Sequence, residues 1–472
     1  SNAVSGLTAT ARGTEIIAAN VANAMTPGFA KRDMQTSPHL AGGVRIDGIV
    51  RVVNEALLSE TRFAAAAARE AEVRGAALSR IEAAVGLPGD SHALLTAFAN
   101  FQDSINAASA RPDDELRLSR LLVSAETLSN RLNAASDAVQ QQRLVADQAI
   151  ASEINLLNGA LERVAYLNRR ISVVEADGKD QSALQDERQQ FIDQIARIVP
   201  VQEVAREGGK VALFAQSGLV LLDGTAPTRF DFQPALAVGP GEVAGTTLAF
   251  VSKDGVALSA AQMRLLSGGS LAGHFAVRDQ LAPAAQRDLD ALAFELQARL
   301  SAPIVDPTIG AGPGIFTDAG LPVDPAEITG LAGRLVVNAT VDPARGGQLW
   351  RLRSGINAVS GQPAGDSTVL TAMARNLEIA QVAVAPGLDD GPASMAGRFG
   401  NTSSRLTSAR VEAESDQAIK ATRLATISSR FMADGVDTDA EIQRLLQYEQ
   451  AYAANARVIR AIDEMINQLI RI

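Results

Sequence analysis

The chain has 472 residues, a formal net charge of −10 and a pI near 5.1. That length allows two to four domains, and the acidic balance argues against nucleic acid as a partner, because phosphate binding needs a basic face. It contains no Cys, which excludes disulfides and thiolate metal sites, and no apolar run approaches the ~20 residues that span a bilayer, so no membrane insertion is expected. Aromatics are 4% while Ala is abundant, Ala64 to Ala68 being consecutive, a composition suited to long, closely packed helices.

Residues 4 to 25 read as a helix whose Val4, Leu7, Ala11, Ala18, Val21 and Met25 fall at alternating three- and four-residue spacings, with Thr14 filling the gap. It ends at Thr26-Pro27-Gly28-Phe29, where Pro and Gly occupy the corners of a type II turn. Arg12 and Glu15 interrupt the apolar positions, so this is not a cleaved secretory signal. Ser1-Asn2-Ala3, with no initiator Met, reads as a tag remnant or as native residues.

Residues 40 to 53 look extended, with Val44, Ile46, Ile49 and Val52 among Gly and charged positions. Helices follow over 54–86 and 91–109, separated by Gly86-Leu87-Pro88-Gly89-Asp90, with Ser91 as the expected cap. After Arg111-Pro112-Asp113-Asp114, the stretch 113–174 reads as a long helical rod. Leu118, Leu121, Ala125, Leu128, Leu132, Ala135 and Val139 keep one rhythm; Ile150, Ile154, Leu157, Leu161, Val164 and Ile171 resume it after a stutter, where a supercoil unwinds. A further helix, Ala183 to Ile198, stops at Pro200.

From Val201 the period changes to that of strands. Val201 to Val204 and Val211 to Phe214 flank Gly208-Gly209, and Ala249 to Val251 and Val256 to Leu258 flank Asp254-Gly255, both hairpin signals. Residues 201–264 are therefore expected to form an inserted β domain. Helical pattern returns over Leu271 to Leu300, residues 301–365 are Gly/Pro-rich with Leu335 to Asn338 as the one firm strand, and helices resume over 366–382 and 397–433. The last stretch, Thr438 to Ile472, carries a heptad seam of Leu445, Tyr448, Tyr452, Asn455, Ile459, Ile462, Ile466 and Leu469, with Asp437 to Asp439 as cap candidates. Such a seam needs another, and the N-terminal helix offers one.

The predicted fold class is mainly α with an inserted β domain. Residues 1–30 and 434–472 form paired terminal coiled-coil helices, and 31–200, 265–300 and 366–433 form a long antiparallel helical-bundle rod. Residues 201–264 form a small β-rich outer domain, and 301–365 a β/loop region without a firm place.

Four stretches add a resemblance. Asn20-Val21-Ala22-Asn23-Ala24-Met25-Thr26-Pro27-Gly28-Phe29, with Asn20, Asn23, Thr26, Pro27, Gly28 and Phe29 as its motif positions, is similar to the N-terminal motif of bacterial flagellar axial proteins, though Phe29 stands where Tyr is usual and Ala18-Ala19 where Ser-Asn is usual. Leu445 to Ile459, then Asp463-Glu464-Met465, resembles their C-terminal motif. Leu184-Gln185-Asp186-Glu187-Arg188, and Ser267 to Gly273 with Arg278-Asp279, resemble the hook-associated proteins within that group. The resemblance implies an extracellular structural subunit of the hook–filament junction, exported without a cleaved signal peptide. It implies self-assembly into a helical ring or tube, contact with hook protein and a second junction protein, and a dedicated export chaperone on the C-terminal helix. A hook or distal-rod subunit is the nearer alternative.

No catalytic, cofactor or metal site is expected. His39, His92 and His274 lie in unrelated segments without a second ligand nearby and read as surface or cap residues. Gly208-Gly209-Lys210 lacks the rest of a P-loop, and Gly310-Ala311-Gly312-Pro313-Gly314 lacks the strand–helix context of a nucleotide loop. Acidic residues beside Arg along the helices read as solvated faces. An all-helical oligomeric enzyme is the alternative of a different class, with the Gly-rich loop 301–320 as its one candidate site.

Overall fold

The computed structural model describes residues 2–26, 28–39, 42–87, 89–310, 312–388 and 391–471, and is mainly helical with small antiparallel sheets. The main helices are α1 (Asn2–Asn23), α2 (Glu55–Val85), α3 (Leu94–Ala110), α4 (Glu115–Ala176), α5 (Ser182–Ile198), α6 (Gly269–Ala276), α7 (Ala282–Leu300), α8 (Thr368–Glu378), α9 (Met395–Ala433) and α10 (Thr438–Ile470). A strand hairpin, β1 (Lys31–Pro38) and β2 (Val44–Val52), lies between α1 and α2. Only β2 is signalled in the sequence; β1 carries Lys31, Arg32, Asp33 and Pro38, and forms because β2 pairs with it.

The spine is α4, a continuous helix of 62 residues and thus roughly 90 Å long. Asp114 caps it by accepting from the N–H groups of Leu116 and Arg117. Its two apolar stretches serve two different cores. Leu118 to Val139 pack with α3, α7, α8 and the start of α9, where Phe98 stacks on Phe399 and Phe101 meets Phe316 edge-on. Ile150 to Ala165 pack with α5 and with the strands that follow. Between them the seam does not break: Arg143, Ala146 and Asp147 hold buried positions where the sequence shows a stutter. The cap expected at Ser91 is absent. The Asp90 carboxylate accepts from Leu87 N instead, and α3 begins at Leu94 with Ala93 in the cap position; Pro88 lies outside the described residues.

The β segment is not a domain with a core of its own. Strands β3 (Val201–Ala205), β4 (Val211–Ala215), β5 (Val220–Asp223) and β6 (Ala226–Pro227) form one sheet; β7 (Phe230–Asp231), β8 (Ser252–Lys253) and β9 (Val256–Ala257) form another. Val201, Leu213, Leu222 and Phe230 are buried in the same cluster as Ile154, Leu157 and Leu161 of α4 and Ile192 and Ile195 of α5. The strands are too short to cover one another, so they bury their apolar faces on the rod. The two hairpin turns stand where Gly208-Gly209 and Asp254-Gly255 predict them, the second with both corner residues at positive φ.

The Gly/Pro-rich region also has a definite place. β10 (Phe316–Asp318) pairs with β11 (Leu335–Val337), and Ile315, Phe316, Leu331 and Leu335 join the first core. Acidic residues hold its irregular backbone. Asp290 accepts from the N–H groups of Gly330 and Ala332, Glu295 from Val384 and Ala385, and Asp306 from Ile356. These are buried carboxylates, not the solvated face that the charge pattern suggests, and burial raises the Asp290 pKa against the hydrogen bonds that lower it.

The family-like Ser267 to Gly273 segment is a close-packing device. A Cβ on Gly269 would lie 2.2 Å from the Ile198 carbonyl oxygen, and one on Gly273 would lie 2.9 Å from Val73 Cβ, so α6 nests against the end of α5 and against α2. Arg278 follows in a π-turn, Val277–Leu281, that joins α6 to α7. Its guanidinium donates to Asp147 at 2.7 Å and to both oxygens of Asp279. Arg143 donates to the carbonyls of Arg278, Gly239 and Glu242.

Replacing 203–262 by a short Gly/Ser linker should therefore not leave the rod intact. It uncovers Leu157 and Leu161, each worth about 1.5–3 kcal/mol when buried, and circular dichroism should show a lower, broader helical melt. His274 makes a second test. It is half-buried, and burial, with Arg69 adding, pulls its pKa down to about 4. The unfolded imidazole takes up a proton near pH 6.5 that the folded one refuses until about 4. Stability is thus full above pH 6.5 and falls as pH drops through that window, by up to about 3 kcal/mol. His274→Gln should flatten the Tm-against-pH slope between pH 6.5 and 4.5.

Candidate assembly interface

The terminal helices α1 and α10 pack antiparallel, in layers seven residues apart on each. Asn20 meets Glu441, Gly13 meets Tyr448 and Gly6 meets Asn455. The glycines set the separation: a Cβ on Gly13 would lie 2.3 Å from Cε1 of Tyr448, and one on Gly6 would lie 2.9 Å from Nδ2 of Asn455. The buried face of α1 is Ala3, Ala9, Thr10, Gly13, Ile16, Ile17 and Asn20.

That face differs from the seam predicted for α1. Leu7 is half-buried, but Val4, Ala11 and Val21 are exposed within the chain. The prediction follows side-chain size, whereas a tyrosine laid across a helix selects the face with glycines. On α10, Leu445, Tyr448, Asn455, Ile459 and Ile462 are half-buried, while Tyr452, Ile466 and Leu469 are 45%, 47% and 71% exposed. Ile442, Leu446, Val458 and Met465 are exposed as well.

Polar groups close the deep end of the pair. The Glu441 carboxylate accepts from Asn20 Nδ2 at 2.9 Å, pairs with Lys31 at 3.2 Å and with Arg444 at 3.4 Å. Asn20 also donates to the Arg32 carbonyl and accepts from the Arg32 N–H, so one amide joins α1, β1 and α10. Glu441 has no signal in the apolar pattern, although a carboxylate at the start of a helix suits the dipole.

The N-terminal motif forms the joint between this pair and the rod. Asn23 donates to the Ala19 carbonyl, Thr26 to the Asn23 side chain, and the Phe29 N–H to the Thr26 carbonyl. Gly28 has φ +79°, as the second corner of a type II turn requires; Pro27 lies outside the described residues. Gly28 lies against Gln190 of α5, and the Arg32 guanidinium stands 5.0 Å over the Phe29 ring. Asp186 of α5 then accepts from Arg32 and Arg51, both at 2.8 Å, and from Ala30 N at 3.3 Å. Its neighbours complete the motif: Glu187 pairs with Arg163, and Arg188 donates to Asn168 and to the Gly209 carbonyl at the β3–β4 turn.

A groove of about 1130 Å³ opens between the joint and the rod, bordered by Met25, Phe29, Leu58, Leu424, Phe431 and Val436. Among the described residues no group of three or more His, Asp or Glu could hold a metal ion, and no helix is long and apolar enough to cross a membrane. His92 Nδ1 accepts from Arg131 at 2.9 Å. What the arrangement offers is packing surface.

Gly13→Ala should push α10 away, at about 1–3 kcal/mol for overpacking. Hydrogen exchange should then quicken in α1 and α10 and stay unchanged in α4. Gly159→Ala, where a Cβ meets open space on α4, should instead stabilise by about 0.5–1 kcal/mol.

Residues 78–302 match the helical domain of the flagellar hook-associated protein FlgK. Residues 1–29 match the flagella basal body rod protein family, and 433–472 the C-terminal family of the flagellar basal body rod FlgEFG proteins. The flagellar hook-associated protein 1 of Salmonella typhimurium is 23% identical over 290 residues, 59% of this chain and 51% of that protein, so the match spans about half the length of that relative. The protein of the same name from Bacillus subtilis is 22% identical over 491 residues, 96% of this chain and 93% of that protein. The solved structure of the flagellar hook junction protein FlgK from Burkholderia pseudomallei overlays with a TM-score of 0.47 at 20% identity, covering 56% of this chain and 47% of that one. The chain is thus similar through its helical middle to the flagellar hook-associated protein FlgK, and at its two ends to the flagellar basal body rod protein families.

Proposed function

We propose that this chain is a non-enzymatic structural subunit of the bacterial flagellum that joins hook to filament. The observation that supports this reading best is the face of α10 left uncovered within one chain, where Tyr452, Val458, Met465, Ile466 and Leu469 stand in water. Exposed apolar rows of this length mark interaction surfaces. In this reading they pack on α1 and α10 of neighbouring copies in a helical ring or tube, and Val4, Ala11 and Val21 belong to the same surface. The rod and the β segment form the outer shell, outside the cell. Hook protein and a second junction protein are the axial neighbours, and an export chaperone holds α10 beforehand. The helical domain matched over 78–302 favours this over a hook or distal-rod subunit, whose families match the ends.

Leu469→Asp tests the reading cleanly, because Leu469 is exposed and its loss costs the free chain little. The purified variant should melt as wild type does. Placed in an assembly, the charge is desolvated and unpaired, so cells should keep hooks and shed filament subunits into the medium. Normal swimming by such cells would overturn the proposal.

A further inference from the structure

We propose that α1, the β1–β2 hairpin and α10 form a hinged arm whose angle to the rod is latched by the single carboxylate of Asp186, and that releasing it lets the arm swing over the groove at its base. Arg32 and Arg51 are direct cross-strand partners in the hairpin. Like charges placed so repel, and the Asp186 carboxylate lies between them, one oxygen on each guanidinium at 2.8 Å. All three side chains are largely buried, at 12–18% exposure. The ground around them is already cationic. Arg188 has its pKa lowered to about 10, by burial first, and Arg51 and Arg62 add to the lowering against Glu203. Without Asp186 the hairpin presents two adjacent guanidinium groups to this surface, and repulsion replaces the attachment.

The groove supplies the room for movement. It separates the base of the arm from α2, α5 and α9, and its rim residue Met25 is 90% exposed. The chain crosses between arm and rod in two short segments, Val53-Asn54 and Asp434 to Asp437 with Gly435. Asn54 donates to Asp434 at 2.9 Å, which ties the two crossings to each other but does not tie the hairpin to α5, as Asp186 does. A few terminal or loop residues absorbing the change is how hinges are built.

The absence of cysteine makes the test direct. Spin labels on Ala11→Cys in α1 and Glu162→Cys in α4, both exposed sites, report the arm–rod distance by pulsed electron resonance in the full chain. The unmodified latch should give one narrow distribution. Asp186→Asn and Asp186→Ala should widen it at least twofold, while a rod pair, Ser119→Cys with Glu162→Cys, keeps its distance. Arg163→Gln, which breaks the neighbouring pair with Glu187, should leave the arm distribution narrow. An unchanged arm distribution in both Asp186 variants would overturn the latch. So would a change in the rod pair, which would make Asp186 a part of the rod's own stability.

Discussion

Asn20 and Glu441 stand 421 positions apart in the chain and share a buried hydrogen bond of 2.9 Å. A carboxylate with 1% side-chain exposure is tolerable only when its lone pairs are occupied, and Asn20, Lys31 and Arg444 occupy them. This pairing fixes the ends of the chain side by side at one place. The helix that leaves this place, α2, and the helix that returns to it, α9, must then lie alongside one another, as they do. Everything between Glu55 and Ala433 is hung on that pair of helices, and α4 gives it length.

The middle of the rod shows what a long helix costs when it serves two cores. The first core ends on α4 at Val139 and the second begins at Ile150. The interval is filled by Arg143, Asp147 and Arg278, all at 2% exposure or less. Replacing such a buried pair with apolar groups is often neutral, but removing one member typically costs 3–5 kcal/mol. The cluster therefore adds little net stability and a great deal of geometry. Arg278 can meet Asp147 only with the π-turn in place, and Arg143 reaches the Gly239 and Glu242 carbonyls only with the 232–251 loop in place. The polar middle sets the register between α4, the α6–α7 helices and the loop, which an unbroken leucine seam would leave free to slide.

Much of this was legible in the sequence, and the illegible part has a physical cause. Helices with a strong three–four rhythm, such as Leu118 to Val139, read directly, because periodic burial is what makes a helix visible. The hairpin turns read directly too, since Gly208-Gly209 and Asp254-Gly255 supply positive φ. The face of α1 read wrongly because Gly6 and Gly13 carry no hydrophobic signal, yet a glycine is where the partner comes closest. Asp290 and Glu295 read as solvent-facing for a related reason. Their partners are backbone N–H groups in a region without periodicity, so nothing local distinguishes them from surface acids. The β segment read as a separate domain because its strands are contiguous in sequence; that α4 and α5 complete its core is a tertiary fact.

The residues on which the family resemblance rests are, for the most part, crossings and not seams. Asn20 joins two helices and a strand, Gly28 turns the chain against α5, Asp186 holds the hairpin, Arg188 holds the β3–β4 turn, and Gly269 lets α6 approach Ile198. A seam position needs volume and apolarity, and swaps such as Leu for Met typically cost under about 1.5 kcal/mol. A crossing needs one donor, one acceptor or one missing Cβ at one place, and no other side chain of similar size supplies it. Two helices with interchangeable seams can still pair in several registers. The crossings remove that freedom, and they do so at the ends of the rod and at its base.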